Sequence, residues 1–543
     1  MNLLHDPWMA VRDGAGTRHW ITPEQLSDPR WLAFDADRPD FNGALAQFAI
    51  GLLQTTTPVT SAIEWRRGLN TPPDAGTLRA WFAPVSDAFA LDGAGARFMQ
   101  DADLGAQGVA VNDIGALLIE APGEQTLKNN ADLFVKRGQV SGMCPACAAT
   151  ALFTLQTNAP SGGAGHRTGL RGGGPLTTLV LAPEPATLWQ QLWVNVAPRP
   201  AFLDQGGDKT LGDAQRSIPW LGAIERLQAP SAQGQLAQAQ VHPAHLYWAM
   251  PRRIRLHTDR LATGRCDVCG RGDQDLITAY ATKNYGLNYK GEWSHPLSPY
   301  YQTKEGWLPL HPQPDGLGYR HWMAWVLGSA SQQRQVRVAR VVDRALALPP
   351  QTLPGPLRLW AFGYDMDNMK ARCWYEATLP LYGLADCSAD ARRAVQSEVG
   401  LWLAGAELAA SYLRDAVKDA WFDAGARRDF GHVDATFWGS TEPAFYEQLR
   451  ALIEAARQDI EAPPLPTREA WNRVLVQTAT RLFDQTFVGT GPIERQNPRR
   501  SAQAYDQLRK RLHGPKLRDA LGLPNPTPTP KATRAARRSK ETA

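Results

Sequence analysis

Apolar residues recur at three- and four-residue steps from Val395 through Val399, Trp402, Ala406, Ala409, Leu413 and Val417 to Ala420. That spacing is the buried stripe of one long helix beginning near Ser388. Three more amphipathic helices are expected after it. One spans 441–457 with Phe445, Leu449, Leu452 and Ile453 inward. Another begins at Thr467 and carries Trp471, Leu475, Leu482 and Phe483. A third, over 501–512, has Tyr505, Leu508 and Leu512 on one side. Four such helices joined by loops read as a four-helix bundle over 388–513.

The pattern before that point differs. Residues 40–54 are almost all apolar and predict a buried helix, with no stretch near the ~20 apolar residues of a membrane span. Thr22-Pro-Glu-Gln25 fits a helix start, with Thr as cap and Pro in the first turn. Short strands are expected at 2–4, 8–11, through Trp20, and at 177–181, 192–196 and 336–342, among many Gly, Pro and Trp. Irregular punctuation of this kind argues for a loop-rich α+β domain over 1–380. A chain of 543 residues exceeds a single ordinary core, in keeping with at least two domains. From 514 to 543 the chain is Pro-, Thr- and Arg-rich and is expected to be a disordered basic tail.

Charge changes the picture once it is located. The net charge is +5. Residues 499–543 alone carry +9, so the rest of the chain is −4. The body lacks a general field for nucleic acid, and any contact must come from local loops.

Two cysteine pairs, Cys144-Pro-Ala-Cys147 and Cys266-Asp-Val-Cys269, stand 118 residues apart. Four thiolates in two CxxC knuckles match a tetrahedral structural zinc site. A thiol redox motif or two disulfides are the alternatives. The start of the chain carries no basic-plus-apolar signal segment, so a reducing cytoplasm is expected and zinc is favoured. Cys373 and Cys387 read as buried small apolar residues.

Known catalytic signatures are lacking: there is no GxxxxGK[ST], HExxH or GxSxG. Asp365-Met-Asp367-Asn368 could hold magnesium as a nuclease does, but no second carboxylate cluster accompanies it. Three other segments suit a nucleic-acid surface. Asn129 to Arg137 sets Phe134 beside Lys136 and Arg137. Ser161-Gly162-Gly163-Ala164-Gly165-His166-Arg167 is nearly bare of side chains, so its backbone can lie close to a flat partner. Residues 280–289 interleave Lys283, Asn284, Tyr285 and Asn288.

Taken in order, these segments resemble the CasA large-subunit family of the type I-E Cascade CRISPR surveillance complex. The resemblance rests on Asn2-Leu-Leu-His-Asp-Pro-Trp8, the first knuckle with Ala151-Leu-Phe153, and Asn158-Ala-Pro160. It continues through Gly169-Leu-Arg-Gly-Gly173 with Pro175-Leu-Thr-Thr178, the second knuckle, Trp293-Ser-His-Pro296 and Ser298-Pro299. It implies a non-catalytic subunit that reads the protospacer-adjacent motif (PAM) in duplex DNA, helps begin unwinding, and recruits the helicase-nuclease. The implied partners are the other Cascade subunits, guide RNA and double-stranded target DNA, with no membrane. By the same resemblance the family's glycine loop falls on Ser161, Gly162, Gly163 and Ala164, with serine where relatives have glycine. The minor-groove lysine falls at Lys283 or Asn284. The wedge falls on Asp367-Asn368, where relatives carry Asn-Gln. The residue meeting the guide-RNA end falls on Phe134.

Overall fold

The apolar run at 40–54 forms the helix Pro39–Thr56, with 14 of its 18 residues buried. In this computed structural model the described residues are 1–104, 109–129, 138–162, 165–222, 235–259, 261–314, 316–330, 335–367, 370–422, 430–458, 464–489 and 497–525. The chain divides into two units, Met1–Ala385 and Asp386–Ala543.

In the first unit Phe48, on the central helix, is the hub of an aromatic core. Its ring meets Trp8 at 5.0 Å, Trp248 at 5.5 Å, Phe98 at 5.7 Å and Phe89 and Phe153 at 5.8 Å, all edge-on. Edge-to-face pairs add to the burial of large apolar surface, and emptying such a site costs about 3–5 kcal/mol. Two glycines let the helix approach its neighbours. A Cβ at Gly43 would lie 2.8 Å from the Phe362 ring, and one at Gly51 would lie 2.9 Å from Tyr247.

Small sheets surround this helix. Met9–Asp13 pairs antiparallel with Arg18–Ile21 and Trp31–Phe34. Ala279–Lys283 lies between Ala110–Asp113 and Arg253–Leu256. Leu357–Asp367 lies between Thr177–Leu181 and Lys370–Leu381, forming a long hairpin with the latter. A four-stranded sheet joins Gly306–Pro309, Tyr300–Thr303, Gln335–Arg337 and Ser329–Ala330.

Three strand expectations are corrected. Asn2 makes only an isolated bridge to Ala90. Leu188–Trp193 is a helix where a strand was expected from 192: Thr187 caps it, and Trp189 and Trp193 stack at 5.0 Å one turn apart. The run expected at 336–342 ends as a strand at Arg337 and turns helical at Arg340–Leu346. Thr22 heads only a short 3₁₀ turn, Pro23–Gln25, where the Gln25 amide oxygen accepts from the Thr22 N–H at 3.0 Å. Cys387 is buried, but Cys373 is exposed because its strand turns that face outward.

The second unit is helical. Ala389–Trp421 is capped by Ser388, whose hydroxyl accepts from the Ala391 N–H at 3.1 Å. It buries the predicted stripe against Gly431–Arg457, Pro464–Leu482 and Pro498–Leu512. Trp471 donates its indole N–H to the Trp402 carbonyl at 3.0 Å, locking two of these helices together. The second helix begins ten residues earlier than its sequence pattern indicates and carries Pro443 inside it. Burial of Phe437 and Trp438 sustains that turn despite the missing proline N–H. Among the described residues no helix is long and apolar enough to cross a membrane.

Candidate metal centre and nucleic-acid interface

The two knuckles meet. Cys144 caps the helix Pro145–Asn158, which places Cys147 one turn inside it. Cys266 and Cys269 lie in the turn between the strands Ala262–Gly264 and Gln274–Leu276. Gly270, at φ +71, lets that turn close, with its N–H on the Cys266 carbonyl at 2.9 Å. Met143 and Ile277 exchange backbone hydrogen bonds of 3.0 and 2.8 Å, zipping the two segments together. Asp267 reinforces the junction by accepting from the N–H groups of Ser141 at 2.8 Å and Gly142 at 2.9 Å, and from the Ser141 hydroxyl at 3.0 Å.

All four sulfurs lie within 4.8 Å of one another. Cys144 Sγ and Cys269 Sγ are 3.8 Å apart, far beyond a disulfide bond and close to the edge of a tetrahedron built on Zn–S bonds of about 2.3 Å. The Cys144 N–H points at Cys266 Sγ at 3.3 Å, and Arg271 Nη2 lies 3.3 Å from Cys144 Sγ. Both place positive charge beside sulfurs that bind metal as thiolates. Hydrogen bonding with Cys144 draws the Cys266 thiol down to about 6 and raises Cys147, because sulfurs this crowded cannot share protons evenly. Arg271 also stacks on Trp20 at 3.6 Å, tying the cluster to the N-terminal sheet. The donor set fits a metal ion held tetrahedrally.

The same helix leads from the cluster to the glycine-rich segment. It ends at Asn158; Ala159 accepts from the Gly169 N–H at 2.9 Å and Asn158 from the Gly174 N–H at 3.1 Å. Ser161 and Gly162 are exposed. Gly165, at φ +79, lies against the segment that follows the strand Ala279–Lys283: a Cβ there would be 2.6 Å from Asn284 Cβ. Its carbonyl accepts from the Tyr285 N–H at 2.8 Å. Tyr285 itself has φ +66, a left-handed conformation that costs a side-chain-bearing residue about 1 kcal/mol or more. Arg167 lies 5.6 Å over its ring. Lys283 and Asn284 are exposed beside this junction.

Arg252 fixes the base of the loop, donating to the Pro160 carbonyl and bonding His166 Nδ1. Partial burial and the adjacent guanidinium hold His166 below its ordinary pKa. Burial lowers Arg252 to about 10, so it stays charged at neutral pH. The sequence reading missed this arginine, since nothing local marks it as a neighbour of residue 160.

The hairpin Leu357–Asp367/Lys370–Leu381 projects Asp367 at its tip, with a bulge between Asp365 and Met366. Asp365 is buried, and both its oxygens accept from Arg372, at 2.7 and 2.9 Å. Asp367 is exposed. The glycine-rich segment packs against this hairpin: a Cβ at Gly174 would meet Tyr364 at 2.7 Å. The structure therefore brings Gly165 against Asn284, the residue after Lys283, while Ser161 and Gly162 are exposed. Phe134, Lys136, Arg137, Gly163, Ala164 and Asn368 lie outside the described residues.

A family model for the CRISPR-associated protein Cse1 matches residues 2–482. Among solved structures, the chain is similar to Thermus thermophilus CasA (Cse1), at 18% identity and a TM-score of 0.62, covering 94% of this chain and 99% of that one. It is similar to Thermobifida fusca Cse1, at 17% identity and a TM-score of 0.64, over 96% and 98% of the two chains. A chain described as a CRISPR RNA-guided surveillance complex is likewise similar, at 17% identity and a TM-score of 0.65, over 95% and 99%.

Proposed function

Because the chain belongs to the CRISPR-associated Cse1 family, we propose that it serves as the non-catalytic large subunit of an RNA-guided surveillance complex in antiviral defence. In this reading it works in the cytoplasm with the other Cascade subunits and guide RNA. It reads the PAM through the minor groove of duplex DNA, helps open the first base pairs, and recruits the helicase-nuclease. Ser161, Gly162, Gly163 and Ala164 bring bare backbone to the base edges. Lys283 and Asn284 supply groove contacts, while Asp367 and Asn368 act as the wedge. Phe134, Lys136 and Arg137 face the guide-RNA end. Zinc on Cys144, Cys147, Cys266 and Cys269 braces the first unit, and residues 388–513 are a four-helix bundle; the tail expected from 514 begins later, because Pro515–Ala520 is a short helix and Leu517, Leu521 and Leu523 are buried.

One observation supports the reading: Gly165, in the glycine-rich segment, packs on Asn284, whose neighbour Lys283 is exposed. Minor-groove edges are degenerate, so backbone plus one cation gives permissive recognition, and guide pairing supplies the strict code. The acidic balance outside 499–543 suits contacts that matter only within the assembly. For a nuclease using Asp365 and Asp367, the pairing of both Asp365 oxygens with Arg372 leaves a metal little to bind. The test is Lys283→Ala with Asn284→Ala in the assembled complex, read as binding to matched duplex with and without the motif. Motif-dependent binding should fall at least tenfold with assembly unchanged; full retention would remove the groove assignment.

A further inference from the structure

Arg171 is buried at 4% exposure, and every acceptor it uses is neutral. Its guanidinium donates to Thr177 Oγ1 at 3.0 Å, Ser298 Oγ at 2.9 Å and Gln47 Oε1 at 2.5 Å. Burial lowers its pKa to about 10, and the ionisable groups that interact with it are the hydroxyls of Tyr300 and Tyr247 and the rings of His295 and His311. At neutral pH it is therefore a cation inside the fold with no acid against it among the described residues. Such a charge is costly unless something compensates it. The turn leaves it little choice of position. Gly172 sits at φ +80 with His311 Nε2 2.7 Å from where a Cβ would be, and Gly174 at φ +61 is pressed against Tyr364.

Beside Arg171 is a small, partly open cavity of about 10 Å³, also lined by Gln47, Gln156, Tyr247 and His295. Tyr247 is 5% exposed, and its hydroxyl has no hydrogen-bond partner among the described residues. Buried hydroxyls are normally satisfied, so this donor calls for an acceptor. Arg344 acts on the same hydroxyl together with Arg171. Among the described residues it too hydrogen-bonds only neutral groups, the carbonyls of Val194 and Val196. His295 adds no charge: its Nδ1 accepts from the Leu297 N–H at 3.1 Å, and burial keeps the ring neutral.

We propose that this cavity is a halide-sized anion site, with chloride held by the Arg171 guanidinium and the Tyr247 hydroxyl. A monatomic anion answers both needs at once, because it compensates the buried cation and accepts from the idle hydroxyl. The small space favours a monatomic anion over phosphate. The ion would join the turn at Arg171 to Gln47 on the central helix and to Gln156 near the end of the helix that starts at the cysteine cluster. The site is independent of the role proposed for the glycine loop.

Bromide replaces chloride and scatters anomalously. Crystals of the full chain grown without chloride and soaked in sodium bromide should give an anomalous peak in the cavity, in contact with Arg171 and Tyr247. A soaked crystal with water or nothing there overturns the proposal. In solution, the thermal midpoint should rise with sodium chloride relative to sodium gluconate at equal ionic strength. Tyr247→Phe keeps the packing and removes the donor, so it should need about fivefold more chloride for the same rise, the worth of roughly one hydrogen bond. An identical chloride response in Tyr247→Phe, or none in the wild type, also overturns it.

Discussion

Gln156 and Arg252 exchange two hydrogen bonds: the Arg252 backbone N–H donates to Gln156 Oε1 at 3.0 Å, and Gln156 Nε2 donates to the Arg252 carbonyl at 2.9 Å. Gln156 is fully buried near the end of the helix that starts at Cys144. Arg252 precedes the strand Arg253–Leu256, which pairs with the strand ending at Lys283. This exchange sets the end of the cysteine-led helix in register with the sheet that presents Lys283.

Gln156→Ala would strip two backbone groups of their partners, at about 1–3 kcal/mol for each group left buried and unsatisfied. The expected outcome is a lower midpoint in urea and weaker binding of matched duplex by the complex. Gln156→Glu should be at least as harmful, since it keeps the acceptor, loses the donor and buries a charge. Stability equal to wild type would show that the exchange carries no weight.

Gly165→Ala should damage the loop without unfolding the chain. The new methyl would meet Asn284 at 2.6 Å in a backbone conformation that already disfavours side chains. Motif-dependent DNA binding should fall at least tenfold while the complex still assembles. Normal binding would mean that the loop can move away from Asn284 at no cost.

Elemental analysis should find about one zinc per chain, and none in Cys269→Ser. Ligand sulfurs bind metal deprotonated, so the ion should be retained at neutral pH and released as pH falls. A chain that purifies without metal yet melts like the loaded form would dismiss the structural role.

Buried histidines make the first unit acid-sensitive. Burial lowers His245 from 6.5 to about 4 and also lowers His242, His295 and His311. Between about 6.5 and 4 the unfolded chain holds the proton at His245 and the folded chain does not, so stability rises with pH across that window. His245 alone contributes up to about 3 kcal/mol, fully present above its unfolded value and lost on acidification. Denaturant midpoints at pH 7.5, 6 and 5 should fall in that order. A flat profile would show these rings to be accessible.

In the helical unit, Arg468 grips Glu398 with Nε at 3.0 Å and Nη2 at 2.7 Å, and Glu398 also accepts from the Trp402 indole at 2.9 Å. Glu398 is 7% exposed. Glu398→Ala should cost about 3–5 kcal/mol because Arg468 loses its counter-charge, and Glu398→Gln somewhat less. Calorimetry of both variants distinguishes a working ion pair from an idle one.

The parts legible in the sequence were those written in local spacing. The cysteine cluster followed from two CxxC turns, and the stripe from Val395 to Ala420 marked the helix Ala389–Trp421. Thr177–Leu181 fell where its β-branched run put it. What stayed hidden depended on distant partners. Gly165 and Asn284 touch across more than a hundred residues, and Arg252 reaches Pro160 from beyond any sequence window. Leu192–Val196 looked extended because its apolar residues run together, yet the Thr187 cap and the Trp189–Trp193 stack favour a turn of helix.

The separation of the two knuckles gives assembly a direction. A metal held first by Cys144 and Cys147 would leave the intervening 118 residues an open loop until Cys266 and Cys269 arrived to complete the donor set. Closing a ring of that size is entropically expensive once, and every later contact inside it then forms at short effective range. The glycine-rich run lies inside that ring, so its shape would be settled only once the four sulfurs are brought together.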